Sequence, residues 1–302
     1  MKNTDVYIAG HYYTYKGELF ACYWKNENRI DLSTVESSAR SIYVCGTDIY
    51  VAGCYYDDSK HFACYWKNGR RVDISSDKSF ASSVFVSGTN VYVAGYYEES
   101  KPIACYWKNG IKTDLDTVHS NANSICVVDS DVYVVGSRST GPNDIVCCWK
   151  NGARVDLSTN LSFARSLFVV ENDVYVAGFY FNGKNYIACY WKNGNRIDMP
   201  ENDSCSESIF VSGTDVYMAG YYDKDKCDIA CIWKNGIKID LTTEDSIATS
   251  VYVEGSDVYV AGELFWEHAS TTACYWKNGI KVDLEIDGGN ANAIFVTTRL
   301  NE

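Results

Sequence analysis

Apolar positions come in short alternating bursts. One stretch reads Ser38-Ala39-Arg40-Ser41-Ile42-Tyr43-Val44, then Cys45-Gly46-Thr47-Asp48, then Ile49-Tyr50-Val51-Ala52-Gly53. After a variable segment it continues Ala63-Cys64-Tyr65-Trp66-Lys67-Asn68-Gly69 and Arg71-Val72-Asp73-Ile74. Each burst has strand length and is bounded by turn formers, which predicts four strands, A to D. Asn-Gly between C and D predicts a two-residue type I′ hairpin, because both central positions need positive φ. In strand B, Ile49 and Val51 point one way and Tyr50 and Ala52 the other, and both sides are apolar. A strand written this way is covered on both faces. Helical spacing is absent, and no linker or low-complexity stretch marks a second domain.

The same order recurs along the whole chain. A glycine follows a Tyr-apolar-apolar triplet at Gly10, Gly53, Gly95, Gly136, Gly178, Gly220 and Gly262. A tryptophan recurs at Trp24, Trp66, Trp107, Trp149, Trp191, Trp233 and Trp276. Both markers step by about 42 residues, the size of one four-stranded propeller blade. The chain begins in a strand B, Val6 to Gly10, and ends in a strand A, Asn290 to Val296. These leftovers complete one another. The sequence therefore predicts an all-β, closed seven-bladed β-propeller, a single domain over 1–302. Each blade has four antiparallel strands, and the C-terminal strand completes the first blade. The boundaries are 290–302 with 1–34, then 35–76, 77–117, 118–159, 160–201, 202–243 and 244–289. Closure removes the end faces that an open array must cap.

The wording Val-Tyr-Val-Ala-Gly-Tyr-Tyr, Ala-Cys-Tyr-Trp-Lys-Asn-Gly, Asp-Leu resembles uncharacterised bacterial repeats of seven-bladed β-propellers. The resemblance covers essentially the whole chain and implies architecture alone. The Gly-His and Trp-Asp signature of WD40 repeats and the Gly-Gly doublet of kelch repeats are missing, so the resemblance does not extend to those families. It carries over no catalytic residues.

Charge narrows the partners. Lys plus Arg is 27 and Asp plus Glu is 39, a formal net charge of −12. An acidic chain repels phosphate backbones and anionic membrane surfaces, so neither nucleic acid nor membrane insertion is expected. No run reaches the roughly 18 to 20 apolar residues of a spanning helix. Met1-Lys2-Asn3-Thr4-Asp5 leads straight into a strand pattern without an apolar signal core. The 13 cysteines include Cys22, Cys64, Cys105, Cys147, Cys189, Cys231 and Cys274 at one repeat position. Equivalent strands of adjacent blades lie beyond the roughly 7 Å Cα limit for a disulfide, so these thiols are expected free and buried. An odd cysteine count without a framework leans towards a cytoplasmic or anaerobic setting.

Residues present in every unit are read as structural. The seven tryptophans are expected to pack between blades. Asp31, Asp73, Asp114, Asp156, Asp198, Asp240 and Asp283 lie on strand D. With a two-residue turn, Cys64 faces Asp73 and Trp66 lies diagonal to it. An indole N–H to carboxylate hydrogen bond is therefore expected.

Function is sought where the units differ. Strands alternate direction, so A–B and C–D turns share one rim, and B–C loops and D-to-A connections share the other. The first rim is monotonous and the second holds the variation. The residue entering strand A is individual in each unit: Arg40, Ser82, Asn123, Arg165, Glu207, Thr249 and Asn292. Strand A of a propeller is nearest the axis, so these seven should ring the channel mouth. With the loop aromatics, the candidate ligand-binding set is Arg40, Tyr56, Tyr97, Asn123, Arg165, Tyr180, Glu207, Tyr222, Trp266 and Asn292. An aromatic and acidic rim suits a protein, a peptide or a glycan. No cofactor and no metal are expected; the nearest approach to a metal site is His11, His61 and His268 on neighbouring units. Gly-x-Ser-x-Gly, His-Glu-x-x-His and phosphate loops are absent. The sequence favours a monomeric, non-catalytic binding scaffold. The alternative is a hydrolase or lyase with a carboxylate site at the axial channel mouth.

Overall fold

The computed structural model describes residues 2–58, 60–266, 271–284 and 288–300. The unit beginning at Ser37 shows how sequence becomes sheet. Strand A (Ser37–Cys45), strand B (Asp48–Asp57), strand C (Lys60–Lys67) and strand D (Arg70–Asp73) pair antiparallel with their neighbours in that order. At the C–D turn Asn68 and Gly69 take φ of 50° and 79°, the left-handed pair that a type I′ hairpin requires. Four further sheets repeat the four-stranded order. One of them joins the two ends of the chain, with Gly289–Leu300 beside Lys2–Tyr13, followed by Leu19–Lys25 and Asn28–Asp31. A remaining sheet has seven strands, because the 18-residue strand Ile237–Glu254 pairs with Cys227–Lys234 through its first part and with Asp257–Phe265 through its second. The molecule is an all-β propeller, with no helix among the described residues.

The core lies between sheets. Val51, Cys64 and Trp66 of one sheet pack with Tyr7, Ala9, Ala21 and Tyr23 of the sheet before it. The sheet that holds both chain ends also packs against the last one, Ile8, Cys22 and Trp24 meeting Tyr259, Ala261 and Ala273. All seven repeat tryptophans are fully buried, and truncating one to alanine would cost about 3–5 kcal/mol. The seven repeat cysteines are buried and free.

Polar repeat residues act as clamps. Asn68 accepts from the Ile49 N–H at 2.9 Å and donates to Asp48 at 2.8 Å, while Lys67 pairs with Asp48 at 2.8 Å. This fastens the C–D turn to the A–B turn. Ser79 accepts from the Ala63 N–H of the preceding sheet at 3.0 Å and donates to the Asp77 carbonyl, which stitches one sheet to the next. The expected bond between indole and strand-D aspartate is not made. Among the described residues the indole N–H groups of Trp24, Trp66, Trp149 and Trp276 have no partner, and that of Trp233 donates to Glu201 at 2.7 Å. Cys64 does face Asp73, but Trp66 faces Arg71. The aspartate turns instead to the cation two residues earlier on its own strand, as in Arg71–Asp73 at 2.9 Å.

Strand A carries an irregularity that shapes the axis. Ala39 pairs with Gly53 and Ser41 with Ala52, so Arg40 is the extra residue of a β-bulge. The same shift leaves Ser82, Asn123, Arg165, Glu207, Thr249 and Asn292 as extra residues. The opposing glycine is what permits the bulge. A Cβ on Gly53 would fall far inside van der Waals contact of the Ser38 carbonyl oxygen, and one on Gly95 would meet the Phe80 carbonyl in the same way. Three residues beyond each bulge, Tyr43, Phe85, Phe168, Phe210, Tyr252 and Phe295 form a chain of rings. Neighbouring centroids stand 4.8–5.1 Å apart, and Cys126 takes the place between Phe85 and Phe168.

Gly95→Ala should therefore destabilise the fold by about 3 kcal/mol, since backbone must move to admit the methyl group. Gly88→Ala has open space around it but a φ of 59°, and should cost only about 1–2 kcal/mol. Urea unfolding of the two variants checks the order; equal losses would remove the steric role of the repeat glycine.

Candidate functional site

The bulge re-aims one side chain per unit. All seven bulge residues line a single open cavity of about 690 Å³, which places it where the A strands converge. His11, Tyr13, Glu263 and Asn290 line one side, and Phe80 and Tyr221 also contribute. The seven are not equally available to a ligand. Asn123, Thr249 and Asn292 donate across to the next sheet, to the carbonyls of Ala164 (2.6 Å), Ala291 (2.6 Å) and Ala39 (2.7 Å). Arg165 pairs with Glu207 at 3.2 Å. The Arg40 guanidinium is exposed, stands 5.4 Å from the Phe80 ring centre, and makes no hydrogen bond or ion pair among the described residues.

Buried ionisable groups distinguish the wall around His11. Glu263 is 6% exposed and its Oε2 has no hydrogen-bond partner among the described residues. Burial raises its carboxyl to about 7, against a weaker opposing pull from Arg40. His11 is also buried, and its pKa falls to about 4, through burial first and the Arg40 charge second. Its Nδ1 lies 3.4 Å from Asn292 Nδ2 and 3.5 Å from Ser38 Oγ. A neutral ring accepts from the Asn292 amide at that nitrogen. Across the cavity, burial raises the Glu207 carboxyl although Arg165 opposes it. The cavity thus offers a neutral imidazole, a buried carboxyl raised towards neutrality, an ion pair and a guanidinium unpaired among the described residues.

The loop aromatics fall elsewhere. Tyr97, Tyr180 and Tyr222 are buried and do not line the cavity. Strand B runs at least three residues past the repeat glycine, and the second of these, the tyrosine, falls on the face that carries the tryptophan. A cation from strand D covers each ring: Lys112 at 3.1 Å, Arg196 at 3.6 Å and Lys238 at 3.3 Å. Tyr180 and Tyr222 also donate to Asp198 (3.0 Å) and Asp240 (3.1 Å). These three tyrosines are packing residues, contrary to the expectation that they present a binding surface. Tyr56 is half-buried, edge-on to His61. Trp266 is 48% exposed, with its indole N–H donated to Thr272 at 2.9 Å; neither lines the cavity. His61 is engaged by the Ser79 carbonyl at 3.0 Å and Glu98 at 3.5 Å, whereas His11 lines the cavity, so the two are not brought together. His268 lies outside the described residues. Among the described residues no three His, Cys, Asp or Glu side chains form a metal-binding group. Sequence reasoning passed over Glu263, although a signal was available. The position after the repeat glycine reads His11, Cys54, Tyr96, Ser137, Phe179, Tyr221 and Glu263, as individual as the bulge position.

No protein-family model and no curated protein matches the chain. Solved structures do resemble it. A puromycin-hydrolysing peptidase of Mycobacterium tuberculosis superposes with a TM-score of 0.60 at 11% identity, covering 93% of this chain and 52% of the peptidase. The acylaminoacyl peptidase of Pyrococcus horikoshii gives 0.53 at 13% identity, covering 83% and 46%. TolB of Acinetobacter baumannii gives 0.53 at 10% identity, covering 78% and 63%. The chain spans about half of each peptidase and under two thirds of TolB. At such identities the likeness is one of fold.

The raised Glu263 carboxyl makes stability fall with pH. The unfolded carboxyl releases its proton near the ordinary 4.5 and the folded one near 7. The stability lost across that window is at most about 3 kcal/mol. Glu263→Gln should therefore melt above wild type at pH 8.5 and close to it at pH 4.5. A difference that is the same at both pH values would show that burial does not govern this group.

Proposed function

We propose that the chain is one seven-bladed propeller domain over 1–302 that works as a non-catalytic binding scaffold. Its ligand, a protein or peptide before a glycan, is held on the rim of B–C loops and D-to-A connections, with the axial cavity as its recognition point. Reading Ile237–Glu254 as strand D of one blade and strand A of the next divides the seven-stranded sheet into two blades. That division supports the count of seven and the blade boundaries at 34/35, 76/77, 117/118, 159/160, 201/202, 243/244 and 289/290.

One observation carries the functional reading. Seven backbone positions with the same bulge geometry converge on one cavity, and their side chains are two arginines, one glutamate, two asparagines, a serine and a threonine. A bulge needs no particular side chain, so packing alone does not account for this diversity. The opposite rim is occupied with itself: turn asparagines bond to the A–B turns, as Asn151 does to Val132 and Asp131.

A second reading has a specific observation behind it. Two carboxyls raised by burial, Glu207 and Glu263, share the cavity, and such groups suit general acid and base chemistry. This favours the hydrolase or lyase alternative. The hydrolytic activity of the two similar peptidases adds nothing to it, because the likeness stops at the fold and covers about half of each.

Peptide and glycan arrays probed with wild type and with Arg40→Glu/Arg165→Glu test the scaffold. The variant should lose at least roughly tenfold in affinity, about 1.4 kcal/mol, for whatever the wild type captures. Lys108→Glu, on the opposite rim beside Asn90 rather than an aspartate, should leave binding unchanged. Binding that follows Lys108 instead would invert the assignment. Turnover of a captured ligand, abolished by Glu263→Gln or Glu207→Gln, would establish the enzyme reading.

A further inference from the structure

We infer that the His11–Glu263 side of the axial cavity is a receptor for a primary ammonium group at the end of a ligand chain, such as the free amino terminus of a peptide. The inference rests on the cavity being the binding site and specifies what it binds. Glu263 lines the cavity, is almost wholly buried, and leaves Oε2 without a hydrogen-bond donor. A buried carboxylate without a donor is costly. The fold had a cation at hand and did not use it: Arg40 lines the same cavity, yet stands over Phe80 and forms no ion pair with Glu263. The neighbouring His11 is held neutral by burial and supplies no charge. The missing partner of Glu263 is thus a donor carrying positive charge, small enough to enter past Arg40. A primary ammonium meets all three requirements, with N–H donors for the carboxylate, a compensating charge and little bulk. Arg40, left unpaired at the mouth, can take a carbonyl or carboxylate further along the same ligand.

The floor of the cavity explains why the group should be terminal. The collar of Tyr43, Phe85, Phe168, Phe210, Tyr252 and Phe295 stands three residues deeper on the A strands. Its rings stand 4.8–5.1 Å from their neighbours and, with Cys126 in the gap between Phe85 and Phe168, surround the axis below the bulge residues. A ligand chain entering from the variable rim meets this collar end-on and is placed to offer its terminus rather than its middle.

The test observes Glu263 directly, by carbon NMR of its side-chain carboxyl, with the signal assigned by its loss in Glu263→Gln. The probes are methylammonium and triglycine, with tetramethylammonium, N-acetyltriglycine and glucose as counterparts that lack the ammonium N–H. Methylammonium and triglycine should shift the Glu263 signal saturably and the three counterparts should not. Calorimetric titration should find triglycine at least tenfold weaker on Glu263→Gln, a near-isosteric change whose folding is checked by its melting curve. If glucose or N-acetyltriglycine moves the Glu263 signal as far as triglycine does, the ammonium assignment falls and a hydroxyl or amide donor replaces it. If triglycine moves signals of Arg165 and Tyr221 while Glu263 stays still, the assignment also falls but the cavity remains the binding site. If none of the probes moves any cavity signal, both readings fall together.

Discussion

The rest of this structure depends on the contact between the repeat glycine of strand B and a strand-A carbonyl. At each of the seven glycines the neighbouring chain comes so close that no Cβ fits. That approach accommodates the extra residue of the bulge, and the bulge turns one side chain per unit into the axial cavity. Without the glycine, strand A would pair regularly and residue 40 and its equivalents would follow the ordinary alternation of the strand. One invariant residue without a side chain thus makes seven variable side chains possible.

Around this constraint the repeated polar residues hold the sheets in place. Asparagines bind turn to turn, and serines bind strand C of one sheet to strand A of the next, as Ser120 does to Ala104 and Ser162 to Val146. On the monotonous rim the turn groups are spent on the asparagine bonds, as at Asn68 and Asn151. The serine bonds lie on the cavity rim, where the bulge residues bond differently from unit to unit. Asn123, Thr249 and Asn292 reach the next sheet, Arg165 meets Glu207, and Arg40 stands over the Phe80 ring without a hydrogen bond or ion pair among the described residues.

The cavity is electrostatically uneven in consequence. On one side Arg165 and Glu207 compensate each other. On the other Glu263 is buried without a donor among the described residues, His11 is neutral, and Arg40 acts on both through its charge without pairing with either. Burial alone would make this a defect, since an unsatisfied carboxyl weakens the fold above neutral pH. In a solvent-connected cavity with a collar of aromatic rings and Cys126 below it, the same features describe a site awaiting a charged donor.

The sequence by itself determined the periodic part of this protein. The period of about 42 residues, the four strands, the Asn-Gly hairpin and the pairing of the two chain ends all follow from local propensity and alternation, which act over a few residues. It also picked out Arg40 and its six equivalents, because position within a repeat translates directly into distance from the axis. Tertiary structure decided what each side chain touches. Tyr97, Tyr180 and Tyr222 read as loop aromatics, yet strand B continues past the glycine and strand-D cations cover them. The strand-D aspartates stood within reach of the tryptophans on paper, yet each is held by the cation on its own strand. Glu263 looked like one acidic residue among 39 acidic residues. Its burial and missing partner arise where separate sheets meet, and contacts between sheets are set by packing around the ring rather than by any spacing along the chain.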